Sequence, residues 1–150
     1  MTDTPTPGAP GSLHHRAYLA LQRLALHQQR QGADLFRDHG LSAPQFNVLR
    51  ILRGAGEGGL TCSEISDRLL DHDPDVTRLL DRLQKAGLVT RERDRPDRRI
   101  VATRLTDAGR DLLTRLDPPL TALHARQFAH LTDTQLRDLL TLLAPPEDTP

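Results

Sequence analysis

Between residues 73 and 105 the hydrophobic period of this chain changes, from one apolar residue every third or fourth position to short β-branched runs. That switch restricts the folds open to it. Val76, Leu79, Leu80 and Leu83 form one stripe of a helix. Asp73 and Pro74 supply its expected start, a capping carboxylate followed by a proline where a missing N–H is harmless. Gly87 is placed to close the helix as a left-handed cap. The stripe leaves Asp75, Thr77, Arg78, Asp81, Arg82 and Lys85 facing outward. Directly afterwards, residues 88–93 and 100–105 hold β-branched side chains on either side of DRPDRR (94–99), whose Pro and Asp carry turn chemistry. This predicts a β-hairpin.

The flanking sequence is helical. Leu13, Ala17, Ala20, Leu21, Leu24 and Leu35 recur at helical spacing, interrupted by a polar middle of His27, Gln28 and Gln31. Three further starts share a hydroxyl residue followed three positions on by Glu or Gln, which can satisfy the orphan N–H groups of a first turn: Ser42 with Gln45, Thr61 with Glu64, Thr132 with Gln135. Thr106 caps another helix, carrying Leu112, Leu113 and Leu116, which Pro118 and Pro119 are expected to kink or break. Residues 54–59 hold four glycines and no stripe, and read as a loop. The expected order is four helices, a hairpin and two helices. Composition predicts disordered tails over 1–12 and 144–150, which are rich in Thr, Pro and Gly or in Pro and acids.

A helix pair (about 61–70 and 74–86) followed at once by a hairpin is the pattern of a winged helix-turn-helix. In that unit the second helix enters the major groove and the hairpin tip reaches the backbone or minor groove. The chain as a whole has 20 basic and 20 acidic residues, so any anionic partner must be met by a local patch. One exists: residues 85–104 contain seven basic and three acidic side chains. Trp is absent and aromatics are 3%, which removes the stacking platforms of single-strand binders and favours duplex DNA.

VTRLLDRL (76–83), AGLVTRERD (86–94), DRPDRR (94–99) and LTDAGRDLL (105–113) resemble, in order and spacing, the recognition helix, first wing strand, wing tip and start of the dimerisation helix of the MarR family of winged-helix regulators. The resemblance extends more weakly over 13–143. It implies a mainly α fold with a two-stranded β-wing, a DNA-binding lobe over about 42–105, and N- and C-terminal dimerisation helices over about 13–38 and 106–143. It also implies a homodimer docking on a near-palindromic operator in double-stranded DNA, as repressor or activator, with a small-molecule effector as further partner. Carried over residue by residue, Asp97 orients the wing arginines, and Arg98 and Arg99 are the candidates for DNA contact, with Arg95 beside them. Thr77, Arg78 and Asp75 are the base-reading candidates, with Arg82 a further DNA-binding candidate on the same helix; Asp75 can accept from a cytosine amino group. In relatives the effector pocket lies between the dimerisation helices and the lobe, which makes His27, Gln28 and Gln31 candidates for its wall; the plainer reading is an exposed stretch across the dimer.

Phosphate repels carboxylates, and the front of the recognition helix, with Asp71, Asp73, Asp75 and Asp81, is acidic. This keeps open a second reading, a winged-helix module that uses the same surface for a protein partner and never touches DNA. Other classes fare worse. No two histidines stand at the i, i+4 spacing of a helical metal site, so no metal or cofactor is implied. The single cysteine, Cys62, rules out an intramolecular disulfide, fits a cytoplasmic setting, and lies far from the N-terminal helix where peroxide-sensing relatives carry theirs. Ser42, Ser63 and Ser66 lack a nucleophile elbow and no phosphate loop follows a strand, so an enzyme is not expected. No leader or membrane-spanning run is visible.

Overall fold

The computed structural model describes residues 8–69, 75–93 and 101–144. Along the chain it contains α1 (Leu13–Asp38), α2 (Ala43–Ala55), a 3-10 turn (Gly56–Gly58), α3 (Cys62–Arg68), α4 (Val76–Lys85), β1 (Val89–Arg93), β2 (Val101–Leu105), α5 (Asp107–Gln127) and α6 (Asp133–Leu143). The fold is mainly α with a small two-stranded wing, in the expected order. The strands pair antiparallel from Val89 opposite Leu105 to Arg93 opposite Val101. A feature absent from the sequence reading widens the base of this ribbon: Leu60, just before α3, exchanges both backbone hydrogen bonds with Thr103, at 3.0 and 2.7 Å.

Local chemistry sets the helix starts. All three expected capping boxes form, with the Ser42, Thr61 and Thr132 side chains accepting from the N3 backbone while Gln45, Glu64 and Gln135 reach back to the cap N–H. At the end of α4, Gly87 adopts φ +72°, its N–H donates to the Gln84 carbonyl and that of Leu88 to the Leu83 carbonyl, a complete Schellman closure. Thr106 joins this end to the next element: its hydroxyl donates to the Gly87 carbonyl at 2.7 Å and accepts from Gly109 N–H at 3.1 Å, capping α5.

The core lies between α2, α3, α4, the wing base and the first half of α5. Val48, Leu49, Ile65, Leu80, Leu83, Leu113 and Leu116 are fully buried in it, and Phe36 from α1 stacks on Phe46 with centroids 4.1 Å apart. Each such leucine contributes roughly 1.5–3 kcal/mol of apolar transfer.

Four expectations are corrected. Helix α4 starts at Val76 with Asp75 as N-cap, not at Pro74 after Asp73; both of those lie outside the described residues. Either carboxylate has capping chemistry, and burial of Val76 places the first inward residue directly after Asp75. Helix α5 runs unbroken through Pro118 and Pro119, because Leu112, Leu113 and Leu116 before them and Leu123 after them are buried along one helix. Each proline removes an intrahelical bond, a cost of about 3 kcal/mol that this burial offsets. Gly54 belongs to α2, and the glycine-rich loop narrows to one 3-10 turn. Ser12, placed in the N-terminal tail by composition, is buried and caps α1, accepting from His15 N–H at 3.2 Å. No helix among the described residues is long and apolar enough to cross a membrane.

Gly109 sits where α5 passes the start of the wing. A Cβ there would press into the Leu88 carbonyl oxygen and lie 3.1 Å from Leu105 Cδ2. Gly109→Ala is therefore expected to destabilise by about 1–3 kcal/mol through overpacking, despite its better helix propensity, and a thermal melt equal to or above wild type would contradict this. Glu64 accepts from the Thr61 backbone N–H at 2.8 Å and from its hydroxyl at 3.0 Å, and these bonds hold its pKa below the ordinary carboxylate value. A lowered folded pKa makes this contribution full above the unfolded pKa and lost as pH falls through the folded one. The stability gap between wild type and Glu64→Gln should accordingly shrink on acidification through the carboxylate range, read by denaturant titration at several pH values.

Candidate nucleic-acid interface

Burial fixes the rotation of α4. With Val76, Leu79, Leu80 and Leu83 turned inward, Thr77, Arg78, Asp81, Arg82 and Lys85 are exposed on the opposite side. Helix α3 packs behind it through Ile65, and Cys62 Sγ lies 3.9 Å from Thr77 Oγ1, at the outer limit of a weak hydrogen bond. The two helices and the paired strands of the wing thus share one side of the lobe.

Among the described residues of that side, Asp75 and Asp81 are both paired with arginines. Asp75 accepts from the Arg78 backbone N–H at 3.2 Å, and its other oxygen lies 3.2 Å from Arg78 Nε. Asp81 takes a 2.7 Å charge-assisted bond from Arg91 Nη1, which ties the middle of α4 to β1; the Arg91 side chain is only 24% exposed. On the wing, Arg104 lies 3.5 Å from Glu92 and donates through Nε to the Glu57 carbonyl at 2.9 Å. Two of the seven basic residues counted between 85 and 104 therefore hold the wing to the lobe. Among the described residues Arg82, Lys85 and Arg93 are exposed and make no ion pair.

The candidates from sequence divide as follows. Asp75, Thr77, Arg78 and Arg82 lie together at and along the first turns of α4. Arg95, Asp97, Arg98 and Arg99 fall outside the described residues. Arg91 and Arg104 were missed as organisers of the site, because their partners lie on other elements and no local motif marks them. At the α1–α5 contact, Gln127 Nε2 donates to Gln31 Oε1 at 3.0 Å and to the Gln28 carbonyl at 3.4 Å. His124 Nδ1 lies 3.1 Å from Gln127 Oε1, and Gln28 Nε2 is buried without a partner. The structure thus brings Gln28 and Gln31 together with two residues the sequence did not single out, while His27 is exposed and stands outside this network. Among the described residues no three His, Cys, Asp or Glu side chains gather as a metal site would require.

Comparison with known proteins agrees with this geometry. Residues 39–100 match the MarR family pattern. The chain is 40% identical over 108 residues to the HTH-type transcriptional regulator TtmR of Methylorubrum extorquens, a match covering 72% of this chain and 54% of TtmR, so it spans about half that relative's length. A MarR transcription factor from Planctomyces limnophilus is 41% identical and superposes with a TM-score of 0.70, covering 88% of this chain and 96% of that one. A mutant MarR from Escherichia coli crystallised in complex with operator DNA is 26% identical, with a TM-score of 0.76 over 85% of this chain and 91% of its own. With its winged lobe, its recognition helix and these likenesses taken together, the chain belongs to the MarR family of winged helix-turn-helix transcriptional regulators.

Proposed function

We propose that the chain is a ligand-responsive repressor that binds a near-palindromic operator as a homodimer. The observation that carries the DNA side is the electrostatic economy of α4. Among the described residues Asp75 and Asp81 are both engaged by arginines, which reduces their repulsion of a polyanion, and Thr77, Arg78 and Arg82 are exposed for base edges. Asp75 is added to the reading set through its hold on Arg78. The wing arginines Arg95, Arg98 and Arg99, oriented by Asp97, supply most of the affinity through phosphate and minor-groove contacts.

The dimer is supported by uncovered apolar surface at both ends of the chain. Helix α1 spans 26 residues and buries only Phe36, while Leu13, Tyr18, Leu21, Leu24 and Leu26 are exposed. Helix α6 buries no residue and exposes Leu140, Leu142 and Leu143. A patch of this kind on a monomer marks an interaction surface, and a second copy covers both with one symmetric contact. Two recognition helices then meet half-sites one helical turn apart, about 34–36 Å. The effector docks beside Gln28 and Gln31, with His27 at the margin; the partnerless Gln28 Nε2 favours a ligand offering an acceptor such as a carboxylate or carbonyl oxygen. Such a ligand acts by favouring one lobe separation over another.

Two measurements test this. In fluorescence anisotropy against a duplex selected from a random library, wild-type affinity should fall steeply with salt. Arg98→Ala with Arg99→Ala should reduce the log–log salt slope by about 1.8, roughly 0.9 for each lost phosphate contact; an unchanged slope removes the wing from the interface. Sedimentation velocity at micromolar concentration should give a dimer for wild type and a monomer for Leu140→Glu with Leu143→Glu, and a wild-type monomer would sink the symmetric reading.

A further inference from the structure

The wing is three segments wide only near its base. Val89 and Leu105 face each other at the bottom of the ribbon and are buried in the lobe core. Two residues outward, Arg91 stands opposite Thr103, and Thr103 is the residue that exchanges backbone bonds with Leu60. Arg91, Thr103 and Leu60 thus form one row across three segments of chain. Among the described residues no third segment accompanies the pairs beyond it, Glu92 with Ala102 and Arg93 with Val101. A two-stranded ribbon is weakly stabilised by its own pairing and twists readily, so its direction depends on what grips this last wide row.

Side chains alternate across a strand, and directly paired residues share a face. Arg91 lies on the face of Val89, toward the lobe, and Glu92 and Arg104 lie on the other. On the first face Arg91 Nη1 donates to Asp81 Oδ1 at 2.7 Å, among the described residues the ion pair between α4 and the wing. On the second, Arg104 Nε donates to the Glu57 carbonyl at 2.9 Å, and its Nη1 lies 3.5 Å from Glu92 Oε2. The Arg91–Asp81 contact sits beyond the Val89–Leu105 anchorage, on the side of the tip, so it spans the joint between helix and ribbon. Such a bond is short and directional. Cutting it releases the ribbon on the α4 side while the Arg104 contacts on the opposite face remain.

We infer that Asp81 and Arg91 are positioning residues for DNA binding: their pair sets the pitch of the wing against α4, so that recognition helix and wing tip meet one duplex together. Asp81 thereby favours binding although it is an acid on the face that Thr77, Arg78 and Arg82 share. This rests on the DNA-binding reading above. The role asks no DNA contact of either side chain.

The test exploits the sign of the effect, read by fluorescence anisotropy on the full chain. With a library-selected duplex, Asp81→Ala should bind about three- to fivefold more weakly, the scale on which a partly exposed ion pair biases an equilibrium. Its log–log salt slope should also fall although it has lost no cation, because phosphate contacts made by the wing are lost. Arg91→Ala should lose as much, and Asp81→Ala/Arg91→Ala no more than either single variant. Arg91→Lys, which keeps the charge on a less directional donor, should lie between them and wild type. On random duplex, where charge alone is read, Asp81→Ala should bind at least as tightly as wild type and the double variant equally. Melting temperatures should stay within a few degrees of wild type, which separates pitch from unfolding. Charge without positioning gives the opposite pattern on the selected duplex: a gain for Asp81→Ala, a loss for Arg91→Ala and a double variant near wild type. That pattern, or an unchanged Asp81→Ala, would overturn the inference while leaving DNA binding standing. A wild type that enriches no duplex and binds random duplex without salt dependence would remove the DNA reading and the inference with it.

Discussion

The burial of one face of α4 is the constraint on which the interface depends. Leu80 and Leu83 are fully enclosed and Val76 and Leu79 nearly so. A rotation of that helix by a third of a turn would expose two leucines and bury a charge, both at several kcal/mol. The outward set is therefore dictated by the inward one. The closures at its ends are equally determined, by Asp75 at the start and by the Gly87 turn, which the Thr106 hydroxyl then couples to α5.

Charge placement follows a similar logic. A chain with no net charge carries a winged lobe whose recognition helix contains acids, and among the described residues Asp75 and Asp81 are each paired with an arginine. Arg91 and Arg104 are spent on holding wing, helix and 3-10 turn together, so cationic side chains serve as scaffold in one place and as exposed positive surface at Arg82, Lys85 and Arg93. The Leu60–Thr103 bridge adds a covering strand segment at the wing base, where those pairs converge.

What could be read in the sequence was what is encoded within four residues: the capping boxes at Ser42, Thr61 and Thr132, the glycine closure at Gly87, and the change of period that marks the wing. The errors came where two local solutions compete or where distance intervenes. Asp73 and Asp75 offer the same cap, and only the burial of Val76 decides between them. Pro118 and Pro119 carry a strong local signal against helix, which the leucines packed on both sides override. The pairs Arg53–Asp117 and Arg91–Asp81 join residues on different elements, with no spacing rule to announce them. Of the candidate site, the α4 positions were legible because amphipathic periodicity separates inside from outside; Gln127 and His124 were not, since they meet Gln28 and Gln31 only through the α1–α5 contact.

Helix α1, with a single enclosed side chain in 26 residues, draws little of its persistence from its own chain. Whatever covers it adds binding free energy to folding free energy, through a term that grows with the logarithm of the free concentration of the covering surface over its dissociation constant. In the proposed homodimer the thermodynamic identity of the protein becomes a property of a population: dilution alone is expected to erode the order of its first helix, with no change in any covalent bond or solvent condition.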